Sequence, residues 1–167
     1  MAIRYVKIVL AAFLSLFAVF YATQNVVNLE AAYAAVAGVL SMDGHEWYTA
    51  HFGPPIDSPL LIGAALAVVI AGEYAAGLFA AKGAWDLWSA RKAPPAEFHA
   101  AKTSVLVGAG IGAIVWFGFF GTLGGAYFQM WQTPVGSGSL EGAFQYFGSC
   151  VLVALFVNMP EAPRASA

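Results

Sequence analysis

Residues 59–81, PLLIGAALAVVIAGEYAAGLFAA, decide the fold. At 1.5 Å of rise per residue, this run as a helix crosses the roughly 30 Å hydrocarbon core of a bilayer with a little to spare. Its one charged-type residue is Glu73. No Asn, Asp or internal Pro interrupts it, and Pro59 sits where proline is tolerated, at a helix start. The stretch therefore predicts a membrane-spanning helix.

Three more stretches meet the same requirement, at 6–24, 103–128 and 143–159. Of the 167 residues, 60% are hydrophobic and 10% charged, against about 25% charged in a soluble domain. A water-soluble fold could not hide that much apolar surface. The chain thus predicts an all-α membrane protein, a single integral domain over 1–167 built as a four-transmembrane-helix bundle. The first stretch follows Arg4 and Lys7 in the manner of a signal peptide. Bulky Phe20 before Tyr21-Ala22-Thr23 is a poor cleavage context, so it is expected to remain as the first span.

The connections set the expected orientation, because Lys and Arg accumulate on the cytoplasmic side of short loops. All seven (Arg4, Lys7, Lys82, Arg91, Lys92, Lys102, Arg164) fall in the N-terminus, the second connection or the C-terminus. The first and third connections have none. An even number of spans follows, with both termini in the cytoplasm of a bacterial cell and the helices in its inner membrane. Trp85 and Trp88 on one side, and Trp47 and Trp131 on the other, fit interfacial aromatic belts.

Within the first connection, 29–42 has helical patterning, with Leu29, Tyr33, Val36 and Leu40 on one face, Asn28 as N-cap and Glu30 in the first turn. It is too short to span. It predicts an amphipathic periplasmic helix ended by Asp43-Gly44, with Pro54-Pro55 breaking structure before the second span. The second span is expected to continue through Trp88, and Pro94-Pro95 to end that helix.

These residues resemble a family of bacterial predicted small integral membrane proteins, a domain of unknown function. The resemblance rests on Leu40-Ser41-Met42-Asp43, Glu73 ten residues before Gly83-Ala84-Trp85, Leu87-Trp88 before basic residues, and Trp116. It continues through Gly124-Gly125-Ala126-Tyr127-Phe128-Gln129-Met130-Trp131-Gln132 to Asn158-Met159-Pro160, nearly the whole chain. Gly44-His45-Glu46-Trp47 departs from it, standing in place of a Thr-rich stretch. The resemblance implies four spans and no activity.

Glu73 is the residue whose burial demands explanation, since an intramembrane carboxylate costs at least ~3 kcal/mol on insertion scales. Counted from a boundary at Lys82, its depth matches Ser15, Gly112 and Ser149 or Cys150 on the other spans. Ser15 and Ser149 are the expected hydrogen-bond partners, with Tyr74 and Trp116 as neighbours. In the third span, Gly108 and Gly112, and again Gly121 and Gly125, stand four apart, the spacing that lets helices approach closely. The two pairs lie about 140° apart around an α-helix at 100° per residue, so this span is expected to touch neighbours on two sides.

Several chemistries lack residues. Asp43, His45, Glu46 and His51 match no metal-ligand spacing, and no metal is expected. No histidine lies in a span to ligate haem, and no cofactor is expected. No serine has a His and acid in motif context, and no basic stripe exists for nucleic acid. The leading expectation is a non-catalytic accessory or scaffold subunit that contacts other membrane proteins, such as a respiratory or photosynthetic complex, or further copies of itself. It is expected to bind them through its glycine-rich and aromatic faces, Phe13, Phe17, Trp116, Phe117, Phe119 and Phe120 among them, with membrane lipids around it. The alternatives are a small transporter or channel using Glu73 as a proton or cation site, and a lipid- or quinone-binding protein with a pocket near Tyr74 and Trp116.

Overall fold

The computed structural model describes residues 1–51 and 53–161. Arg164, counted above for orientation, lies outside them, as does most of the tail after Pro160. Among the described residues the structure is all helical, with four helices long and apolar enough to cross a membrane.

The first, α1, runs over Ala2–Val27. A single non-helical residue, Asn28, separates it from α2, Leu29–Ser41. Asn28 does not cap α2 with its side chain as expected; its Nδ2 donates back to the Gln24 carbonyl at 2.9 Å and closes α1 instead. Met42 takes a left-handed conformation (φ 58°) after α2, and Gly44 (φ 76°) completes the reversal, a backbone region costly to side chains with a Cβ. Helix α3, Pro59–Ser89, includes the expected extension past Trp88. Pro94-Pro95 does not end it. Pro95 instead starts a short helix, α4, Pro95–Ala100.

The third span begins as α5, Thr103–Ala113, and continues over Ile114–Tyr127 as a wider π-helix. There the hydrogen bonds reach five residues back, as Phe128 N–H to the Leu123 carbonyl at 2.8 Å illustrates. After a 3₁₀ turn at Met130–Gln132, α6 runs over Pro134–Asn158. It starts nine residues before the expected span. Thr133 Oγ1 accepts from Gly136 N–H and Pro134 occupies the first turn, so a Gly/Ser-rich stretch with loop-like composition is helical because its start is capped.

The packing places α3 between α1 and α5, with α6 closing against α5 and, less extensively, α1. The basic residues meet at one end. Arg4 donates to the Arg91 and Ala93 carbonyls, and Lys7 and Lys102 both reach the Met159 carbonyl. Both ends of the described chain therefore lie at this basic end. At the opposite end, α2 packs on the bundle, with Leu40 and Met42 against Ile62 and Phe128 and with Tyr33 and Val36 alongside.

Candidate functional site

The polar centre of the bundle forms around Glu73, only 2% exposed. Asn25, near the end of α1, donates from Nδ2 to Glu73 Oε2 at 2.9 Å. Neither expected serine does so. Ser15 is buried one turn nearer the basic end, where its carbonyl faces Gly77, and Ser149 is exposed and donates to the Gln145 carbonyl at 2.9 Å.

The register explains the correction. Because Gly77 of α3 lies against Ser15 and Val19, Glu73 stands one turn farther up α1 than a boundary at Lys82 implies. The helix end lies lower, since Lys82 itself pairs with Asp86 a turn farther on, at 2.6 Å. Side chains also lean toward the N-terminus of their own helix. In the antiparallel α1–α3 pair, Glu73 and Asn25 therefore lean toward each other.

Beside this pair four aromatic rings, Phe17, Tyr21, Trp116 and Tyr146, are all in mutual contact, with centroids 4.5 to 6.5 Å apart. The Tyr21 hydroxyl donates to that of Tyr146 at 2.5 Å. Trp116 thus packs among Phe17, Tyr21 and Tyr146, while Tyr74 shares a 3.2 Å hydrogen bond with Thr23. Sequence reasoning missed Asn25, Tyr21 and Tyr146. The available signal was Phe17, Tyr21 and Asn25 at i, i+4 and i+8, one face of α1. This arrangement joins α1, α3, the third span and α6 around one satisfied carboxyl group. It positions no nucleophile.

A second buried polar cluster lies at the basic end. Glu161 Oε1 is 2.7 Å from Lys7 Nζ and 3.0 Å from Lys102 Nζ, while Glu161 Oε2 is 3.9 Å from Arg4 Nε. Arg4 also stacks over the fully buried Phe98 of α4, 4.4 Å from its centroid. Burial pushes the Glu161 carboxyl up, but the hydrogen bonds and charges of Lys7 and Lys102 outweigh it and hold it below the usual carboxylate range. The cluster ties the start of α1, the start of α5 and the end of α6 together.

The glycines of the third span divide by neighbour. A Cβ on Gly108 would meet Ala76 O and Ala80 N of α3 at 2.7 Å, whereas one on Gly112 would meet Cys150 Sγ of α6 at 2.8 Å. Gly125 faces Leu140 of α6 at 3.0 Å. The two-sided contact is as expected, but Gly121 takes no part in it. The atoms nearest its Cβ position belong to Phe117 and Trp116 of its own helix, at 3.5 Å or more. Spacing by four marks one face only in an α-helix, and this half of the span is wound more widely.

In the first connection the His45 and His51 rings lie 5.3 Å apart. Burial lowers the His45 pKa first, His51 lowers it further and Asp43 opposes both. The described residues contain no group of three or more His, Cys, Asp or Glu side chains placed to hold a metal. The described residues form shallow apolar grooves. One of about 210 Å³ lies between α5 and α6 over Gly110 and Ala154, and one of about 500 Å³ between α2 and α3 includes Tyr33 and Tyr74 but not Trp116.

The outer surface of α6 carries a polar strip beside the exposed apolar residues Val135, Phe144, Leu152 and Leu155. Glu141, Gln145 and Ser149 are all exposed there, and the Glu141 and Gln145 side chains form no hydrogen bond among the described residues. A Cβ on Gly138 or Gly148 would meet nothing within 4 Å. This span also buries the smallest share of its apolar length inside the chain, 17%.

The family model described as predicted small integral membrane protein, DUF2165, matches residues 3–160. No curated protein and no solved structure matches the chain.

Proposed function

The chain belongs to the DUF2165 family of predicted small integral membrane proteins, and from that premise we propose that it is a non-catalytic accessory or scaffold subunit working by helix contact within the membrane. We place both termini in the cytoplasm and the α2 end in the periplasm of a bacterial inner membrane. The observation that carries the docking reading is the outer face of α6. Gln145 lies 13 residues before the end of that helix, about 20 Å along it, so in a hydrocarbon core of about 30 Å its amide stands about 10 Å below the opposite surface. A primary amide facing lipid forgoes its hydrogen bonds at a cost of several kcal/mol. A neighbouring helix that supplies a donor and an acceptor removes that cost, and the small residues around Gln145 let such a helix approach. The buried centre around Glu73 and the Glu161 cluster hold the bundle rigid while it presents this face.

The test is gentle solubilisation from native membranes followed by mass spectrometry of the intact assembly. The expected result is an assembly larger than one chain that dissociates in Gln145→Leu. A monomer in the wild type, under conditions that keep other membrane complexes whole, overturns the reading.

A further inference from the structure

We infer that the helix seated on the outer face of α6 is α6 of a second copy of this chain, running parallel to the first about a two-fold axis along the membrane normal. The inference rests on the docking reading above and adds the partner's identity. At 100° per residue, Gly138, Gly142, Gln145 and Ser149 fall within an arc of about 60°; Gly138, Gln145 and Ser149 are exposed, Gly142 is half-buried, and half-buried Phe156 continues the arc two turns nearer the basic end.

Two copies inserted by the same charge rule share one orientation. Their two-fold axis then brings each residue of the arc opposite its own counterpart at the same depth. Few polar faces tolerate that, because a side chain that only donates or only accepts meets its like. This one does. The Gln145 amide donates and accepts, so two of them pair. The Ser149 hydroxyl already donates to the Gln145 carbonyl of its own helix, so it needs no hydrogen bond from its counterpart, and its small size leaves room for close approach. Gly138 and Gly142 form a small-xxx-small step of the kind that brings parallel helices into close contact.

Glu141, the one charged member of the face, lies at the edge of the arc and near the end of α6 remote from the basic cluster. The two-fold axis puts its two copies on opposite sides of the contact, each next to water. The Gln145 pair and the Gly138/Gly142 approach are each met by their own counterparts, which is what a second copy supplies.

The test uses the full chain with Cys150, its only cysteine, replaced by Ala, carrying one new cysteine at a time and expressed with two different epitope tags. Oxidation in native membranes is expected to give same-residue disulfide dimers carrying both tags at Gly138→Cys, Gly142→Cys, Gln145→Cys and Ser149→Cys. It should give none at buried Ala143→Cys or at lipid-facing Leu78→Cys, because a disulfide needs Cα atoms within about 7 Å. Adding Gly142→Leu is expected to lower the Gly138→Cys dimer roughly tenfold by holding the helices apart. Cross-linking of these positions to a different protein overturns the second copy and leaves the docking reading standing. Cross-linking equal at Leu78 and on the arc, or absent altogether, overturns both.

Discussion

A carboxyl group in the middle of a membrane protein is tolerable only with a partner, and the hydrogen bond from Asn25 to Glu73 is the one the structure provides. The two side chains therefore stand or fall together. Asn25→Leu is expected to destabilise the bundle by about 1–3 kcal/mol, the range for stranding a buried polar group. Glu73→Gln keeps an acceptor oxygen and should cost less. Replacing both by Leu should recover part of the Asn25→Leu loss, because no group is then stranded. Reversible unfolding of the wild type, these three variants and Glu73→Leu, which closes the cycle, checks this in mixed micelles, and strictly additive losses in the Leu variants would mean that the bond contributes nothing. Glu73 was legible in the sequence because polarity stands out against an apolar run. Asn25 was not, because at the end of a span a polar residue needs no explanation. Linking the two requires the register of α1 on α3 and the lean of each side chain, and neither is encoded within either segment alone.

At the scale of the element, glycine content alone does not tell which glycine holds two helices together. Gly108 and Gly110 are two residues apart in α5, yet a Cβ on Gly108 would lie 2.7 Å from backbone atoms of α3 while one on Gly110 would meet nothing. Backbone atoms cannot swing aside as a side-chain tip can. Gly108→Ala is thus expected to cost about 1–3 kcal/mol through overpacking. Gly110→Ala should be neutral or stabilising by up to ~1 kcal/mol through helix propensity. Thermal unfolding in detergent separates the two, and equal melting temperatures would contradict the close α3–α5 approach. The spans themselves were legible, since solvation fixes them with no reference to neighbours. What escaped was local geometry. The π-winding of 114–127 moved Gly121 away from the contact that spacing by four predicts, and the Thr133 cap with Pro134 drew Gly136, Ser137 and Gly138 into α6 against their propensity.

For the whole molecule, the basic end is the feature from which orientation follows. Arg4, Lys7 and Lys102 are drawn from distant parts of the chain and held together by Glu161 and by the carbonyls of Arg91, Ala93 and Met159. Packing alone would hold the same bundle upside down equally well. What distinguishes the two orientations is the cost of carrying six described cations across the bilayer during insertion, set against four carboxylates, Glu30, Asp43, Glu46 and Asp57, on the first connection. Acidic residues weigh little in that comparison and Lys and Arg dominate it, so the basic end is expected to stay in the cytoplasm. With Cys150 replaced by Ala, a membrane-impermeant maleimide should label Glu46→Cys in intact cells and Lys92→Cys only after permeabilisation. Labelling of Lys92→Cys in intact cells would reverse the orientation. It would leave the bundle untouched, because the Glu73 and Glu161 contacts do not depend on which end faces the cytoplasm. Labelling of both in intact cells would contradict the bundle itself, since Lys92 lies at the end where α1 begins, and Glu46 belongs to the connection that α2 leads into at the other.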